Sequence, residues 1–130
     1  MRVFDLSVTD APGALHDVRH ALSRMLGEAV DDQLLDSALL VVSELVTNAN
    51  RHGGDGRCQL RVALEHGRCR IEVIDSSPFR PVDVPAPVDA ESECGRGLLV
   101  VSALARRWGS GAHRLGKCVW AELPVATRRP

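Results

Sequence analysis

Residues 43–53 read Ser43-Glu44-Leu45-Val46-Thr47-Asn48-Ala49-Asn50-Arg51-His52-Gly53, and they close a long amphipathic helix that decides the fold of this chain. On a helical wheel, at about 100° per residue, Asn48 lies about 40° from Glu44 and Arg51 about 20° to its other side. The apolar side chains centre roughly 160° from Glu44; they are Leu35, Ala38, Leu39, Val42, Leu45, Val46 and Ala49. The pattern predicts one core face and an opposite face that carries a carboxylate, a carboxamide and a guanidinium.

This polar face has two interpretations. The first is an ordinary solvated side of a helix. The second is a metal–phosphate site, because the side-chain carbonyl of Asn48 is a hard oxygen ligand suited to Mg²⁺. In that site Glu44 could accept a proton from an attacking hydroxyl or water. The spacing alone leaves both interpretations open.

Length and charge restrict the function. The 130 residues predict a single domain, residues 1–130, with a frayed tail at 125–130. A formal net charge of −1 gives no general electrostatic reason to bind nucleic acid or a membrane surface. No apolar run could span a bilayer and no signal-peptide pattern opens the chain, so we expect a cytoplasmic protein. Lys117 is the only lysine, and the bias to arginine indicates a GC-rich bacterial genome.

The cysteines do not form a metal or disulfide pattern. They are Cys58, Cys69, Cys94 and Cys118, with no CxxC pair. Residues 57–65 and 69–75 are predicted to form a hairpin that turns at His66-Gly67. If Glu65 faces Arg68 there, Cys58 faces Asp75 rather than Cys69, so free thiols are expected.

The remaining elements follow from periodicity and turn residues. The predicted order is a strand at 2–8, a helix from Asp10-Ala11-Pro12 to about Gly27, a helix from Asp31-Asp32 to about His52, the hairpin, an irregular proline-rich loop at 76–94, a helix opening at Gly95-Arg96-Gly97, and strands at about 107–114 and 117–123. Mostly antiparallel strands with helices on one face predict an α+β, two-layer α/β sandwich.

One apparent phosphate motif is excluded by its context. Residues 111–118 nearly match a P-loop, but Cys118 stands where that motif needs the hydroxyl of Ser or Thr. A P-loop also opens a helix, whereas residues 119–123 alternate like a strand and Pro124 follows. We therefore interpret this stretch as a hairpin turn.

Two further features are candidates for nucleotide recognition. Gly95-Arg96-Gly97 follows the long loop and opens a helix, where backbone amides and a guanidinium could meet phosphates. Asp75 ends a strand, where its carboxylate could accept the exocyclic amine of adenine. Each has a plainer alternative, a loop-to-helix junction for the first and a turn aspartate for the second.

The order of these motifs resembles the GHKL ATPase superfamily, which has the Bergerat fold. The similarity is closest to the small bacterial anti-sigma factor serine/threonine kinases, and it covers roughly residues 10–124. Residues 43–53 resemble their N-box, Val73-Ile74-Asp75-Ser76-Ser77-Pro78 their first glycine box, Gly95-Arg96-Gly97-Leu98 their second, and Gly116-Lys117-Cys118-Val119-Trp120 their closing strand.

The resemblance implies a role for each matching residue. Glu44 would be the general base, Asn48 would bind Mg²⁺, and Asp75 would bind adenine. The other implied nucleotide contacts are Arg51, His52, Ser77, Gly95, Arg96, Gly97, Leu98 and Cys118. Residues 76–94 would form a lid over ATP. The chain departs from the family where Asp-x-Gly-x-Gly is replaced by Asp75-Ser-Ser-Pro-Phe79, and where Cys118 replaces a threonine near adenine.

The implied function is a regulatory protein that binds ATP and Mg²⁺. It would phosphorylate a small antagonist protein, sequester a sigma factor, or both, and it could form a homodimer. The main alternative is a non-catalytic, partner-binding module of the same fold, which the altered glycine box favours. A weaker alternative is an α/β domain with no ATP site.

Overall fold

The computed structural model describes residues 2–51, 55–78 and 93–125, and for residues 93–98 it describes the backbone only. Five strands and three helices lie within these ranges. In chain order they are β1 (Arg2–Thr9), α1 (Ala14–Leu26), α2 (Asp32–Arg51), β2 (Arg57–Glu65), β3 (Arg68–Asp75), α3 (Glu93–Leu104), β4 (Arg107–His113) and β5 (Gly116–Pro124).

The strands form one antiparallel sheet in the order β1-β2-β3-β5-β4. Alternate residues of each strand point to the same face. One face is apolar and packs against the helices, and α2 crosses it in contact with β2, β3 and β5. The predicted two-layer sandwich with helices on one face is therefore confirmed.

The hydrophobic core lies between α2 and the sheet. The predicted apolar stripe of α2 is buried at Ala38, Leu39, Val42, Leu45, Val46 and Ala49, while Leu35 packs at the edge of the core. Leu34 and Val41 are also buried. Burial on this wide stripe fixes the rotation of α2, so its other side carries Glu44 and Asn48.

The hairpin of β2 and β3 has the predicted register. Glu65 pairs with Arg68, and Cys58 pairs with Asp75. Cys58, Cys69 and Cys118 carry free thiols. The turn at His66-Gly67 has positive φ at both residues, 43° and 76°. This register places Asp75 at the end of the central strand, on the face toward the helices.

Three predicted boundaries are corrected. Helix α1 begins at Ala14 and not at Asp10-Ala11-Pro12. Helix α3 begins at Glu93, two residues before Gly95, so Gly95 and Gly97 lie within the first turns of the helix. An acidic residue is favourable in the first turn because it complements the helix dipole. The last hairpin turns at residues 114–115, and Gly116 is already the first residue of β5.

The face of the sheet without helices carries a row of charges. Arg70 Nη1 donates to Glu122 Oε1 at 2.8 Å and Arg107 Nη2 donates to the same oxygen at 3.0 Å. The two guanidinium carbons lie 4.4 and 5.8 Å from the centre of the Trp120 ring. Hydrogen bonds from Arg107 and Arg70 hold the pKa of the Glu122 carboxyl below its usual range, although burial opposes them.

Candidate functional site

The buried carboxylate of Asp75 is the centre of the candidate site. Asp75 is the last residue of β3 and is 4% exposed. Its Oδ1 accepts the backbone N–H of Ser77 at 2.8 Å and also the Ser77 hydroxyl. Its Oδ2 is buried and accepts no hydrogen bond, the one such side-chain atom within 2–51, 55–78 and 93–125. A buried acceptor without a donor is costly, so Oδ2 is suited to a donor supplied by a ligand.

Lys117 faces Asp75 from the neighbouring strand. The two residues are paired across β3 and β5, and Lys117 is also 4% exposed. Its Nζ lies 3.7 Å from Asp75 Oδ2, which is an ion pair but too long for a hydrogen bond. Lys117 was not among the site residues predicted from the sequence. It is the only lysine of the chain, but its place opposite Asp75 follows from the pairing of β3 with β5, which no local sequence pattern indicates.

Gly116 allows β5 to start directly beneath the Asp75 turn. Its φ is 144°, and a Cβ at this position would lie 2.4 Å from the Asp75 carbonyl oxygen. The same Cβ would lie 2.7 Å from the Ser76 carbonyl carbon and 2.8 Å from the Ser77 carbonyl oxygen. No side chain fits there, so a glycine is required to keep the turn and the strand in contact.

The two nearby cysteines lie on opposite faces of the sheet. Cys58 pairs with Asp75 on the helix-covered face, and burial followed by the Asp75 charge raises the pKa of its thiol to about 11. Cys118 pairs with Ile74, so it points to the open face. Burial and then Glu72 raise the pKa of the Cys118 thiol to about 11. The residue beside Asp75 is therefore Lys117, and a nucleotide contact by Cys118 stays a prediction.

Helix α2 carries the predicted base and metal ligand along its polar side. Glu44 and Asn48 are both half-buried, and neither side chain has a hydrogen bond or ion pair to the residues that the structure describes. Arg51, the last residue of α2, is exposed and has a partner. His52 lies outside the described ranges. Two oxygen-bearing side chains are thus left available on the helix that packs against β3.

Arg19 is a second residue that was not predicted from the sequence. Its guanidinium donates from α1 to the Ser43 hydroxyl and, at 3.2 Å, to the Leu39 carbonyl oxygen. These bonds attach α1 to α2 one residue before Glu44, so they help to fix the polar side of α2. An arginine on a surface-facing helical position gave no sequence signal for this role.

Helix α3 carries the second glycine motif in its first turns. Its backbone packs against α2, and residues 93–96 form its first turn. The first four amides of a helix have no partner within it and attract anions. The side chains of Arg96 and Leu98, and most of the predicted lid at 76–94, lie outside what the structure describes.

The donor set suits a nucleotide with one magnesium ion. The described residues hold no group of three or more His, Cys, Asp or Glu side chains that could bind a metal by themselves. Mg²⁺ bound to nucleotide phosphates needs only one or two protein oxygens, and Asn48 could supply one. Asp75 Oδ2 suits an exocyclic amine because it is buried, ionisable and without a donor.

Other cavities lie at the opposite end of the sheet. One of about 430 Å³ is lined by Arg2, Val30, Glu65, His66 and Arg68, among others, beside the β2–β3 turn. The described part of this end has no buried side-chain acceptor that lacks a hydrogen bond. The buried acceptor without a donor therefore makes the Asp75 end the candidate site. No described helix is long and apolar enough to span a lipid bilayer.

Comparison with known proteins identifies the family. Residues 8–123 match the family described as histidine kinase-like ATPase domain, and the chain belongs to it. The resemblance to the GHKL superfamily is thereby confirmed.

The proteins similar to this chain include the following two. An uncharacterized protein of Streptomyces coelicolor is 34% identical over 82 residues, which cover 59% of this chain and 78% of that protein. The crystal structure of the RsbU and RsbW domains of Rv1364c from Mycobacterium tuberculosis has a TM-score of 0.71 at 20% identity. It covers 96% of this chain, which in turn spans 32% of that structure, so this likeness establishes the fold alone.

Proposed function

We propose that this protein binds ATP with Mg²⁺ and acts as a regulatory serine/threonine kinase of the anti-sigma factor type. Membership of a histidine kinase-like ATPase domain family supports nucleotide binding. The observation that carries the proposal is Asp75 Oδ2, buried and without a hydrogen bond at the end of the central strand. The same strand packs against α2, whose polar side carries a carboxylate and a carboxamide one turn apart.

In this proposal each residue of the site has a separate role. Asp75 accepts the exocyclic amine of adenine through Oδ2, while the two bonds from Ser77 keep its Oδ1 in place. Asn48 would hold Mg²⁺ through its side-chain oxygen, and the ion would supply positive charge to offset that of the phosphates. The amides of the first turn of α3 and the Arg96 guanidinium bind phosphate oxygens. Glu44 accepts the proton of the attacking serine or threonine hydroxyl.

The partners in this proposal are an antagonist protein that carries the acceptor hydroxyl and a sigma factor that is sequestered. Both come from the resemblance of the motifs to anti-sigma factor kinases. The second candidate function is a partner-binding module that retains nucleotide but does not transfer phosphate. Ser77 favours it, because a serine that is tied to Asp75 replaces a mobile glycine in the first glycine box.

Calorimetric titration with ATP, with and without Mg²⁺, tests the proposal. We expect a Kd between about 1 μM and 1 mM, corresponding to roughly −8 to −4 kcal/mol, and tighter binding with Mg²⁺. Asp75→Asn should weaken ATP by about 10-fold or more, because a charge-assisted bond is lost. Asp5→Asn, an exposed change on β1, is the matched control and should leave the Kd unchanged.

The magnesium ligand has its own control on the same helix. Asn48→Ala should remove most of the difference between the titrations with and without Mg²⁺, whereas Asn50→Ala, which is also half-buried on α2, should keep it. No heat with ATP up to millimolar concentration would overturn the proposal. ATP binding without phosphate transfer to any antagonist protein would favour the partner-binding module.

A further inference from the structure

Lys117 places a hydrogen-bond donor beside Asp75, at the proposed binding site for the purine of the nucleotide (the base site). The two side chains are paired in register, lie on the same face of the sheet and are both 4% exposed. Their charged atoms are 3.7 Å apart, so the ammonium neutralises the carboxylate without using the free lone pairs of Oδ2. The site therefore presents an acceptor and a donor side by side.

A purine would contact this acceptor and donor through the edge of its six-membered ring. Adenine has an amine donor at C6 and an acceptor at N1, whereas guanine and hypoxanthine have a carbonyl acceptor at C6 and a donor at N1. A carboxylate alone would face the C6 carbonyl with like partial charge and reject these 6-oxopurines. With the Lys117 ammonium beside it, the carbonyl meets a donor and the N1–H meets Asp75.

We propose that Lys117 makes the base site accept 6-oxopurine nucleotides, of the guanosine and inosine type, as well as 6-aminopurine nucleotides. This inference rests on the proposed nucleotide site at Asp75. Both base types satisfy the same two protein groups with exchanged roles, so the site discriminates weakly between them. Lys117 is in this sense the specificity-determining residue, and Asp75 is the anchor common to both classes.

Ion pairing restricts what else Lys117 could do. A buried ammonium and a buried carboxylate are each costly to desolvate, and their attraction offsets that cost only partly unless hydrogen bonds are added. At 3.7 Å no such bond is formed with Asp75 Oδ2. A nucleobase that donates to Oδ2 and accepts from Nζ would supply the bond that Oδ2 lacks and add one to the ammonium.

The test is calorimetric titration of the wild-type protein with ADP, GDP and IDP, each with Mg²⁺. Diphosphates avoid turnover, and IDP presents the same C6 carbonyl and N1–H as GDP but lacks the amine at C2. We expect the Kd of GDP and of IDP to lie within about tenfold of that of ADP, the range of one neutral hydrogen bond. Binding of ADP with GDP and IDP each weaker by about 100-fold or more would overturn the inference while leaving the nucleotide site intact.

A variant then assigns the effect to Lys117. Lys117→Met keeps the approximate length and volume of the side chain and removes the donor, and we expect the ratio of the GDP Kd to the ADP Kd to rise by about tenfold or more. An unchanged ratio in the folded variant would overturn the role of Lys117. Because the variant leaves Asp75 without its counter-ion and could lose the fold, the three-nucleotide comparison on the wild type stands as the independent measurement. If none of the nucleotides binds, both this inference and the proposed function are wrong.

Discussion

Replacing Gly116 with alanine should destabilise the protein far more than an ordinary glycine substitution. The Cβ would lie within 2.4–2.8 Å of three backbone atoms of residues 75–77. Backbone atoms in a sheet and a tight turn cannot rotate away as a flexible side chain would. The positive φ of 144° at this position is unfavourable for alanine as well.

The magnitude can be built from the two separate costs. A positive φ costs an L-residue about 1–2 kcal/mol, and forcing extra atoms into a packed region costs about 1–3 kcal/mol. Gly116→Ala should therefore lower the free energy of unfolding by about 2–5 kcal/mol, a large part of the total stability of a domain of this size. The corresponding fall in Tm is roughly 10–20 °C.

Two other glycines separate these costs. At Gly67 the φ is 76° but no atom lies within 4 Å of the position that a Cβ would take, so Gly67→Ala measures the cost of a positive φ without a close contact. At Gly111 neither a positive φ nor a neighbour within 4 Å is present, so Gly111→Ala should leave stability unchanged or raise it slightly. Urea unfolding followed by circular dichroism gives all three values. A cost for Gly116→Ala equal to that for Gly67→Ala would refute the close contact between β5 and the Asp75 turn.

Three further outcomes are expected. Glu44→Gln should lower phosphoryl transfer by roughly 10²–10⁴-fold while ATP affinity stays nearly constant, and transfer at the wild-type rate in a phosphorylation assay would contradict its role as base. Glu122→Gln should be destabilising at pH 7. Folding lowers the pKa of Glu122, so the ionised carboxylate stabilises the wild-type protein at every pH above the unfolded pKa. This stabilisation is lost as pH falls through the folded pKa, so the free energies of unfolding of the wild type and the variant should converge in acid. Cys58, with a thiol pKa of about 11 against an ordinary 9.0, should react with iodoacetamide at pH 8 about 100-fold more slowly than a free cysteine, as peptide mass spectrometry would show; rapid labelling would contradict its burial.

The sequence predicted the elements whose pattern is strong and local. The hairpin register followed from a single assumption, that Glu65 faces Arg68, because strand pairing is rigid once one pair is set. The apolar stripe of α2 predicted which of its sides would be buried, since a period of 3.6 residues is unambiguous over five turns.

What the sequence could not predict depends on contacts between distant strands. The pairing of Asp75 with Lys117 requires β5 to lie beside β3, with β4 outside it. Nothing local in residues 107–124 distinguishes this order from the reverse. Alternation along β5 turns the Cys118 side chain to the open face of the sheet, and its contact with a nucleotide stays a prediction. The start of α3 was predicted at Gly95, because two closely spaced glycines are typical of a loop that leads into a helix. The helix already includes Glu93 and Cys94, so its start lies two residues earlier.

The altered first glycine box bears directly on whether the site can still recognise a base. The motif that it resembles has glycines in the turn after the aspartate, where they leave the backbone less restricted. Here Ser77 stands in that turn, and its amide and hydroxyl both donate to Asp75 Oδ1. These two bonds hold the carboxylate in one orientation. Fixing one oxygen leaves the other, Oδ2, directed to a position where the described protein supplies no hydrogen-bond donor. A carboxylate that is already oriented loses less rotational freedom when a ligand binds. The replacement of glycine by serine is therefore compatible with recognition of a nucleobase by Asp75.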